Sequence, residues 1–361
     1  MKSACQPILL VLALTLGIVS LRAHAQKIDP VPFHPQKAPG LVGSYEPNEY
    51  LFTAERLGAG QLQGPEDIAI DADGFIYTGT ADGTIKKISR SGEVSTYART
   101  GGHPLGLDFD AAGNLLVAEP YSGLLIVNTQ GVMTPLVTQF EGEKLGLLDD
   151  VKVARDGSIY FTEASRKYRL DQYQLDFLEG RPNGRLFRYD PLTATTEVIM
   201  DELYFANGIA LSAEQDFLLV AETSRYRITR YWLSGPRTGE REIFLDNLPG
   251  LPDTMSSNGE GTFWVAFFSV RDRLIDGVQP YPWLKGLLAR LPTEFLPKPK
   301  AYSLVAAYDE NGEVLVSLHD PSGKNLGNIT SVEEHDGELY MGTLTGDAIG
   351  IAPLKEPEAI L

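Results

Sequence analysis

Short apolar runs and polar turns alternate along most of this chain, from residue 66 to about residue 350. In residues 68–71 (IAID) and 151–154 (VKVA), apolar side chains occupy alternate positions. A period of two is typical of β-strands, not of helices. Asp-Gly turns, such as the one at residues 73–74, separate many of the runs and supply the positive φ that tight hairpins need. The pattern therefore predicts a succession of β-hairpins.

The hairpins recur in six similar units. Each unit has an apolar strand, a turn, a second apolar strand that ends in a small residue, a polar turn and a third strand. The units start at residues 66, 105, 150, 207, 253 and 328. A repeat of roughly 40–50 residues with three or four strands has the size of one propeller blade. We therefore predict an all-β, six-bladed β-propeller over residues 51–361, with one strand at 51–57 completing the last blade.

Two insertions interrupt the repeat. Residues 166–183 separate two strands of unit three, and residues 271–300 lie within unit five. Both have partly helical periodicity with aromatic and leucine residues, so we predict helical insertions in blades three and five. Two interpretations stay open: the insertions pack over a propeller face, or they cap the channel mouth, shape a pocket or contact a membrane.

The N-terminal 50 residues do not follow the repeat. In residues 1–25, Lys2 precedes an apolar run at 8–21, and residues 23–25 (AHA) match a small-x-small cleavage site. This pattern predicts a secretory signal peptide and a periplasmic or secreted protein. The alternative is a retained N-terminal anchor, the one case in which we expect membrane contact. The proline-rich residues 26–50 are expected to form an extended lead-in.

Composition narrows the chemistry. The chain has one cysteine, Cys5, which would leave with the signal peptide, so we expect no disulfide and no thiolate nucleophile. Lys and Arg number 31 against 48 Asp and Glu, and the formal net charge is −17. A protein this acidic repels phosphate backbones and anionic lipid, so nucleic acid is not an expected partner.

A carboxylate or an amide recurs at the first turn of four units, at Glu66, Asp149 or Asp150, Asn207 and Asp253. The first strand of every blade lines the channel of a propeller, so these side chains are predicted to converge near one end. Converging oxygen donors suit Ca²⁺. The scarcity of His and Cys argues against zinc or copper.

Taken singly, each of these residues also has a purely structural interpretation. Asn207 precedes a glycine and could form a turn, and Asp253 follows a proline and could cap one. The Asp149-Asp150 pair could be a solvated acidic pair. The recurrence of four such residues at one phase of the repeat favours the metal site.

A channel Ca²⁺ would polarise the oxygen of an ester, a lactone or a phosphoryl group, and a carboxylate beside it would act as base or nucleophile. Asp253 is the first candidate for that role and Asp150 is the second. His103, just before the channel strand of unit two, is a candidate proton shuttle or a loop histidine without a role. His319 precedes a turn and is expected to be exposed.

Several segments resemble the strictosidine-synthase-like propellers. They include GPEDIAI from Gly64, DDVKVARDGSIYFTEAS from Asp149, FANGIALSAEQDFLLVAETSRYRITRYWLSG from Phe205 and ITSVEEHDGELYMGTL from Ile329, and the resemblance covers nearly all of residues 50–352 in order. That family is grouped with gluconolactonases and paraoxonases in a superfamily of six-bladed, calcium-dependent propellers. The resemblance implies the same fold and one channel Ca²⁺.

The resemblance also implies roles for particular residues. Glu66, Asn207 and Asp253 match metal ligands of the lactonases, and Asp253 is also the candidate base. Asp149 stands where the lactonases have asparagine, and Asp150 follows it. The Asp at 149 adds negative charge, which could tighten Ca²⁺ binding; alternatively, Asp149 is not a ligand.

Three functions are compatible with these observations. The favoured one is hydrolysis of a small ester or lactone. The second is condensation of an amine with an aldehyde, as in true strictosidine synthases, but Thr330 stands where those enzymes have a catalytic glutamate. The third is a non-catalytic propeller that binds a ligand, with calcium only structural. A paraoxonase-like histidine dyad is not expected, because Leu105 and Glu119 lie near those places.

Overall fold

The described part of the chain forms six four-stranded antiparallel sheets. A computed structural model describes residues 28–292 and 295–354. In five sheets the strands follow chain order, over residues 68–99, 107–137, 147–203, 206–245 and 250–320. In the sixth, an N-terminal strand at Glu55–Leu57 pairs with the last strand, Ile349–Pro353, and so completes the last blade. The predicted six-bladed propeller is confirmed.

The strands of the six blades have the following bounds. Those of blades one to three, with a two-stranded ribbon before blade three, are β2 (Ile68–Ile70), β3 (Ile76–Thr80), β4 (Thr84–Ile88), β5 (Val94–Arg99), β6 (Leu107–Phe109), β7 (Leu115–Glu119), β8 (Gly123–Val127), β9 (Met133–Val137), β10 (Gln139–Phe140), β11 (Glu143–Lys144), β12 (Leu147–Val153), β13 (Ile159–Ser165), β14 (Gly184–Asp190) and β15 (Thr195–Leu203). Those of blades four to six are β16 (Ala206–Leu211), β17 (Phe217–Glu222), β18 (Arg227–Trp232), β19 (Arg241–Leu245), β20 (Gly250–Ser257), β21 (Thr262–Val270), β22 (Ser303–Asp309), β23 (Val314–Asp320), β24 (Ile329–His335), β25 (Glu338–Thr343), β26 (Ile349–Pro353) and β1 (Glu55–Leu57).

The helices lie mainly in the two insertions. The α-helices are α1 (Tyr173–Glu179), α2 (Arg273–Val278) and α3 (Pro282–Leu288), and short 3₁₀ helices occur at Gly43–Tyr45, Tyr50–Thr53, Leu170–Gln172 and Thr223–Arg225. The prediction of one strand at 51–57 is thus wrong in part, because a 3₁₀ turn precedes β1. None of the described helices has the length and apolar content that a membrane crossing requires. The apolar run at 8–21 lies outside the described residues.

The apolar core lies between neighbouring blades. Ile85 and Leu107, for example, share a buried cluster between blades one and two. Ile68 and Ile349 belong to the cluster between blades one and six, which closes the ring. This arrangement follows from the period-two pattern, because each inner strand is covered on both faces by the adjoining blades.

The lead-in runs over the two insertions. The amide of Val31 donates to the carbonyl oxygen of Glu179 at the end of α1, and the amide of Phe33 donates to that of Gln279 after α2. The chain continues to blade five, where Ser317 Oγ donates to the carbonyl oxygen of Ser44. These contacts hold both insertions against the same face of the propeller.

Candidate metal centre

Irregularities in the innermost strands determine where the candidate ligands point. The pairing register shifts between Leu148 and Val151 in β12, between Ala206 and Ile209 in β16, and between Pro252 and Met255 in β20. A β-bulge of this kind re-aims the extra side chain out of the regular alternation. Each shift therefore brackets one candidate: Asp149 with Asp150, Asn207, and Asp253.

Asn207 lies within a strand and not in a turn, and the glycine after it permits a close approach of two strands. Gly208 lies within β16, and a Cβ there would come within 2.6 Å of the carbonyl oxygen of Asp253. Only a residue without a side chain permits the two channel strands to approach so closely. The Asn-Gly pair thus brings Asn207 against the strand that carries Asp253.

Three carboxylates meet at this end of the channel. Oxygen atoms of Glu66, Asp149 and Asp253 lie within 4.8 Å of one another, and all three residues are buried. Asn207 and Thr330 line the same small cavity, which has a volume of about 40 Å³. We call Glu66, Asp149, Asn207 and Asp253 the acidic cluster.

The acidic cluster has the features of a cation site. Glu66 Oε2 and Asn207 Oδ1 are buried and have no hydrogen-bond partner among the described residues. Burial and the neighbouring charge of Asp253 raise the pKa values of Glu66 and Asp149 well above their usual range. Burial likewise raises the pKa of Asp253 to about 8. A divalent cation would supply the missing partners, and an all-oxygen donor set fits Ca²⁺.

Asp150 lies outside the acidic cluster. Its Oδ2 accepts a hydrogen bond from the amide of Ile209 at 2.7 Å, and its Oδ1 accepts one from its neighbour Val151. Its Oδ1 also lies 3.6 Å from Lys152 Nζ. Both carboxylate oxygens of Asp150 are thus engaged by backbone amides, so the structure does not bring Asp150 into the cluster, and its role as a ligand or second-choice base stays a prediction. Its carboxylate joins blade three to blade four because the bulge points it away from Asp149.

His103 is also placed differently from its prediction as a proton shuttle. The ring is buried, its Nε2 lies 3.3 Å from the carbonyl oxygen of Gly64, and it does not line the cavity of the acidic cluster. Burial lowers the pKa of His103. His319, expected to be exposed, is also buried, with Nδ1 and Nε2 each 2.9 Å from the hydroxyls of Tyr302 and Ser317.

Farther along the channel lies a second group of charges that the sequence analysis missed. Lys152 interacts there with four acids, and burial raises the pKa of Glu333, one of them, to about 8. The other three are Asp67, Asp108 and Asp150.

Two of these acids also link neighbouring blades. Asp67 accepts a hydrogen bond from the amide of Leu107, and Asp108 accepts one from the amide of Val153. The sequence contains a signal for this second group of charges, because Asp67 directly follows Glu66 just as Asp150 follows Asp149.

Aromatic side chains form the walls above the acidic cluster. Tyr173 and Phe177 of α1 and Phe205 and Phe268 of the propeller line its cavity. The rings of Phe177 and Phe205 lie edge to face, with centroids 4.7 Å apart. The insertion at 166–183 therefore caps the channel mouth, which favours one of the two interpretations left open by the sequence.

A second, largely apolar cavity adjoins the first. It has a volume of about 90 Å³ and shares Tyr173, Phe177 and Phe268 with the cavity of the acidic cluster. Its far wall comes from the other insertion and includes Ile275 and Leu296. The two insertions together thus enclose apolar space next to the oxygen donors.

The sequence of this chain is similar to those of known proteins. Residues 149–236 match the family model for strictosidine synthase, and residues 43–88 match that for the N-terminal part of strictosidine synthase-like proteins. The adipocyte plasma membrane-associated protein of Rattus norvegicus is 37% identical over 364 residues, which cover 92% of this chain and 96% of the relative.

Two solved structures have the same fold. A gluconolactonase from Xanthomonas campestris superposes with a TM-score of 0.62 at 19% identity, over 91% of this chain and 99% of that one. The calcium-binding protein regucalcin from Agrobacterium tumefaciens gives 0.56 at 15% identity, over 82% and 90% of the two chains. Sequence identity over nearly the whole length, and not these distant structures, decides the family. The chain belongs to the strictosidine synthase-like family that includes the adipocyte plasma membrane-associated proteins.

Proposed function

We propose that this chain is a calcium-dependent hydrolase of small esters or lactones. The acidic cluster carries the proposal, because three buried carboxylates and an amide converge there with two unpartnered oxygens. The names of two structural neighbours, a gluconolactonase and a calcium-binding regucalcin, lend support. We also keep the proposal of export, since the matched relatives are called membrane-associated and the N-terminal pattern is that of a signal peptide.

The residues of the acidic cluster have two roles, cation binding and proton transfer. Glu66, Asp149, Asn207 and Asp253 would hold the cation through their side-chain oxygens. Bound Ca²⁺ would supply positive charge to the carbonyl oxygen of the substrate. The Asp253 carboxylate accepts a proton from the attacking water and returns it to the leaving oxygen as the acyl bond breaks. The Asn207 side chain is hydrogen-bonded to Asp253, which lowers the pKa of Asp253 against the larger effect of burial.

The apolar walls select the substrate and exclude bulk water. Tyr173, Phe177 and Phe268 border both the oxygen donors and the adjoining apolar cavity. An acyl or aryl group seated in that cavity would leave its ester carbon near Asp253. Removal of bulk water also strengthens the electrostatic interactions at the reacting carbonyl.

The test is hydrolysis of phenyl acetate and of an aliphatic lactone by the purified chain, with Ca²⁺ or with a chelator. Asp253→Asn should lower kcat/KM by about 10²-fold or more, because it removes the base and one ligand charge. Asp110→Asn is the matched control, since Asp110 caps a hairpin turn of blade two and the Oδ1 of asparagine can accept the same two backbone amide hydrogen bonds.

Two outcomes would contradict the proposal. Activity that survives the chelator would show that the reaction does not need calcium. Full activity in Asp253→Asn would show that Asp253 is not the base. Ca²⁺ that raises the melting temperature without any turnover would favour the ligand-binding alternative. The amine–aldehyde condensation gains no support at Thr330, whose hydroxyl is buried and donates to the carbonyl oxygen of Glu66 at 2.8 Å.

A further inference from the structure

The insertion of blade five exposes an unusual share of apolar surface. Among the described residues, thirteen large hydrophobic side chains are exposed, and six of them lie between residues 274 and 295. Trp283 is 70% exposed, Phe295 69% and Leu274 80%. We call the exposed side chains of Leu274, Tyr281, Trp283, Leu287, Leu291 and Phe295 the apolar insertion surface.

Helix α3 is turned with its polar residue inward. Lys285 is fully buried, and its Nζ donates to the carbonyl oxygen of Val31 at 2.8 Å. Trp283 and Leu287, four residues apart on one face of the helix, point outward. Burying an ammonium while two large apolar side chains face outward is unfavourable in water. The orientation therefore indicates an apolar partner for the outer face.

The charge of the same segment differs from that of the whole protein. Residues 271–300 contain six Lys and Arg against three Asp and Glu, whereas the whole chain has 31 against 48. Arg271 and Lys285 are buried, so four of the six basic residues are exposed and could meet a bilayer. Arg290 and Lys298 are exposed beside the apolar side chains. Basic residues around exposed Trp, Phe and Leu are typical of a surface that lies in the interface of an anionic bilayer.

The N-terminal part of the chain reaches the propeller at this surface. Ile28, the first described residue, packs in a small cluster with Ala289, which follows α3. The preceding residues include the apolar run at 8–21. The described lead-in therefore starts beside the apolar insertion surface, and the run at 8–21 lies outside the described residues.

We propose that the apolar insertion surface docks on a lipid bilayer that carries anionic headgroups. A second copy of the chain fits less well, because an interface about a two-fold axis would place the same basic residues opposite each other. The sequence links membrane contact to a retained N-terminal segment, whereas this surface offers contact through the propeller itself. The proposal does not depend on the hydrolase function.

Trp283 provides a local readout. The chain has three tryptophans; Trp264 is buried, Trp232 is partly buried, and residues 1–27 contain none. The probe is vesicles of phosphatidylcholine, with or without phosphatidylglycerol, in which some acyl chains are brominated to quench nearby indoles. Docking through this surface should shift Trp283 emission to the blue and quench it, and Trp283→Phe should abolish both signals.

The variants separate this surface from other modes of binding. Replacing Leu274, Leu287 and Phe295 with serine should weaken vesicle binding at least about tenfold, since each loses apolar burial. Adding phosphatidylglycerol should strengthen binding roughly fivefold for each basic residue at the bilayer surface. Leu192→Ser is the matched control, because Leu192 is 91% exposed in the turn between β14 and β15. That turn lies at the opposite end of blade three from the insertion at 166–183.

Three results would overturn the proposal. The first is an absence of vesicle binding. The second is binding in which Trp283 stays unquenched, which would assign the contact to another part of the chain. The third is a blue shift that grows with protein concentration without vesicles, which would make a second copy the partner.

Discussion

Lys152 supplies the main positive charge in the interior of the channel, and its removal should destabilise the fold strongly. Burial acts to lower the pKa of Lys152, but the charges of Asp150, Asp67 and Asp108 outweigh burial and raise it. Its Nζ lies 3.6 Å from Asp150 Oδ1. In Lys152→Met the side chain keeps a similar length, while the surrounding carboxylates lose their counter-charge.

The magnitude follows from the cost of leaving one buried acid without its counter-charge. Removing one partner of a buried ion pair costs about 3–5 kcal/mol, because the remaining charge cannot be solvated. With roughly 300 ordered residues and about 2.1 cal/mol/K of unfolding entropy each, that range corresponds to a fall in Tm of about 5–8 °C. The fall should be smaller at acidic pH, since the four carboxyls can then take up protons.

The assay is thermal unfolding followed by near-ultraviolet circular dichroism, in a chelator so that no cation replaces the ammonium. Lys86→Met is the control, because Lys86 Nζ lies at the same 3.6 Å from Asp82, whose side chain is 42% exposed. The two lysine side chains are similarly covered, at 15% and 14% exposed, so the two pairs differ in whether the carboxylate reaches solvent. A pair whose carboxylate reaches solvent contributes at most about 1 kcal/mol. If Lys152→Met melts no lower than Lys86→Met, the channel acids do not depend on the lysine and this reasoning is wrong.

Three further predictions concern other parts of the molecule. Burial lowers the pKa of His319 to about 4, so about 3 kcal/mol of folding stability should be lost as pH falls from 6.5 through 4. In denaturant unfolding, the stability of His319→Gln should depend less on pH than that of the unchanged chain, and parallel pH profiles would contradict this. Gly208→Ala would push a Cβ into the backbone of β20 and should abolish Ca²⁺ binding measured by calorimetry, unlike Gly277→Ala, where the space is open; unchanged binding would refute the close approach. Phe177→Ala should raise KM for phenyl acetate more than it lowers kcat, whereas the exposed Phe52→Ala should change neither; an unchanged KM would exclude Phe177 from the substrate wall.

Much of the architecture could be predicted because it depends on neighbours in the chain. Alternating apolar residues and Asp-Gly turns specify hairpins locally, and the glycines of three such turns, Gly74, Gly157 and Gly337, have the expected positive φ. Repetition of the unit then implies a ring, because each blade can bury its apolar faces only against the next. The insertions were visible as breaks in the same period.

The roles of the paired acids could not be read from spacing. Asp149 and Asp150 are adjacent and both buried, yet one joins the acidic cluster and the other accepts amide hydrogen bonds from β16 and from Val151. A bulge in β12 decides between them, and a bulge depends on the pairing partner, not on local composition. The buried state of His319 was missed for a related reason, since Tyr302 and Ser317 reach it only through tertiary contacts.

By itself, the sequence determined that this protein is a ring of β-hairpins with recurrent acids at the start of the repeats, because turn chemistry and period-two burial act over a few residues. Only the tertiary structure decided which oxygens meet, where Lys152 balances the remaining acids, and that α3 presents Trp283 outward. Those outcomes depend on distances between residues far apart in the chain, which are set by the closure of the ring and by the close approach of its inner strands.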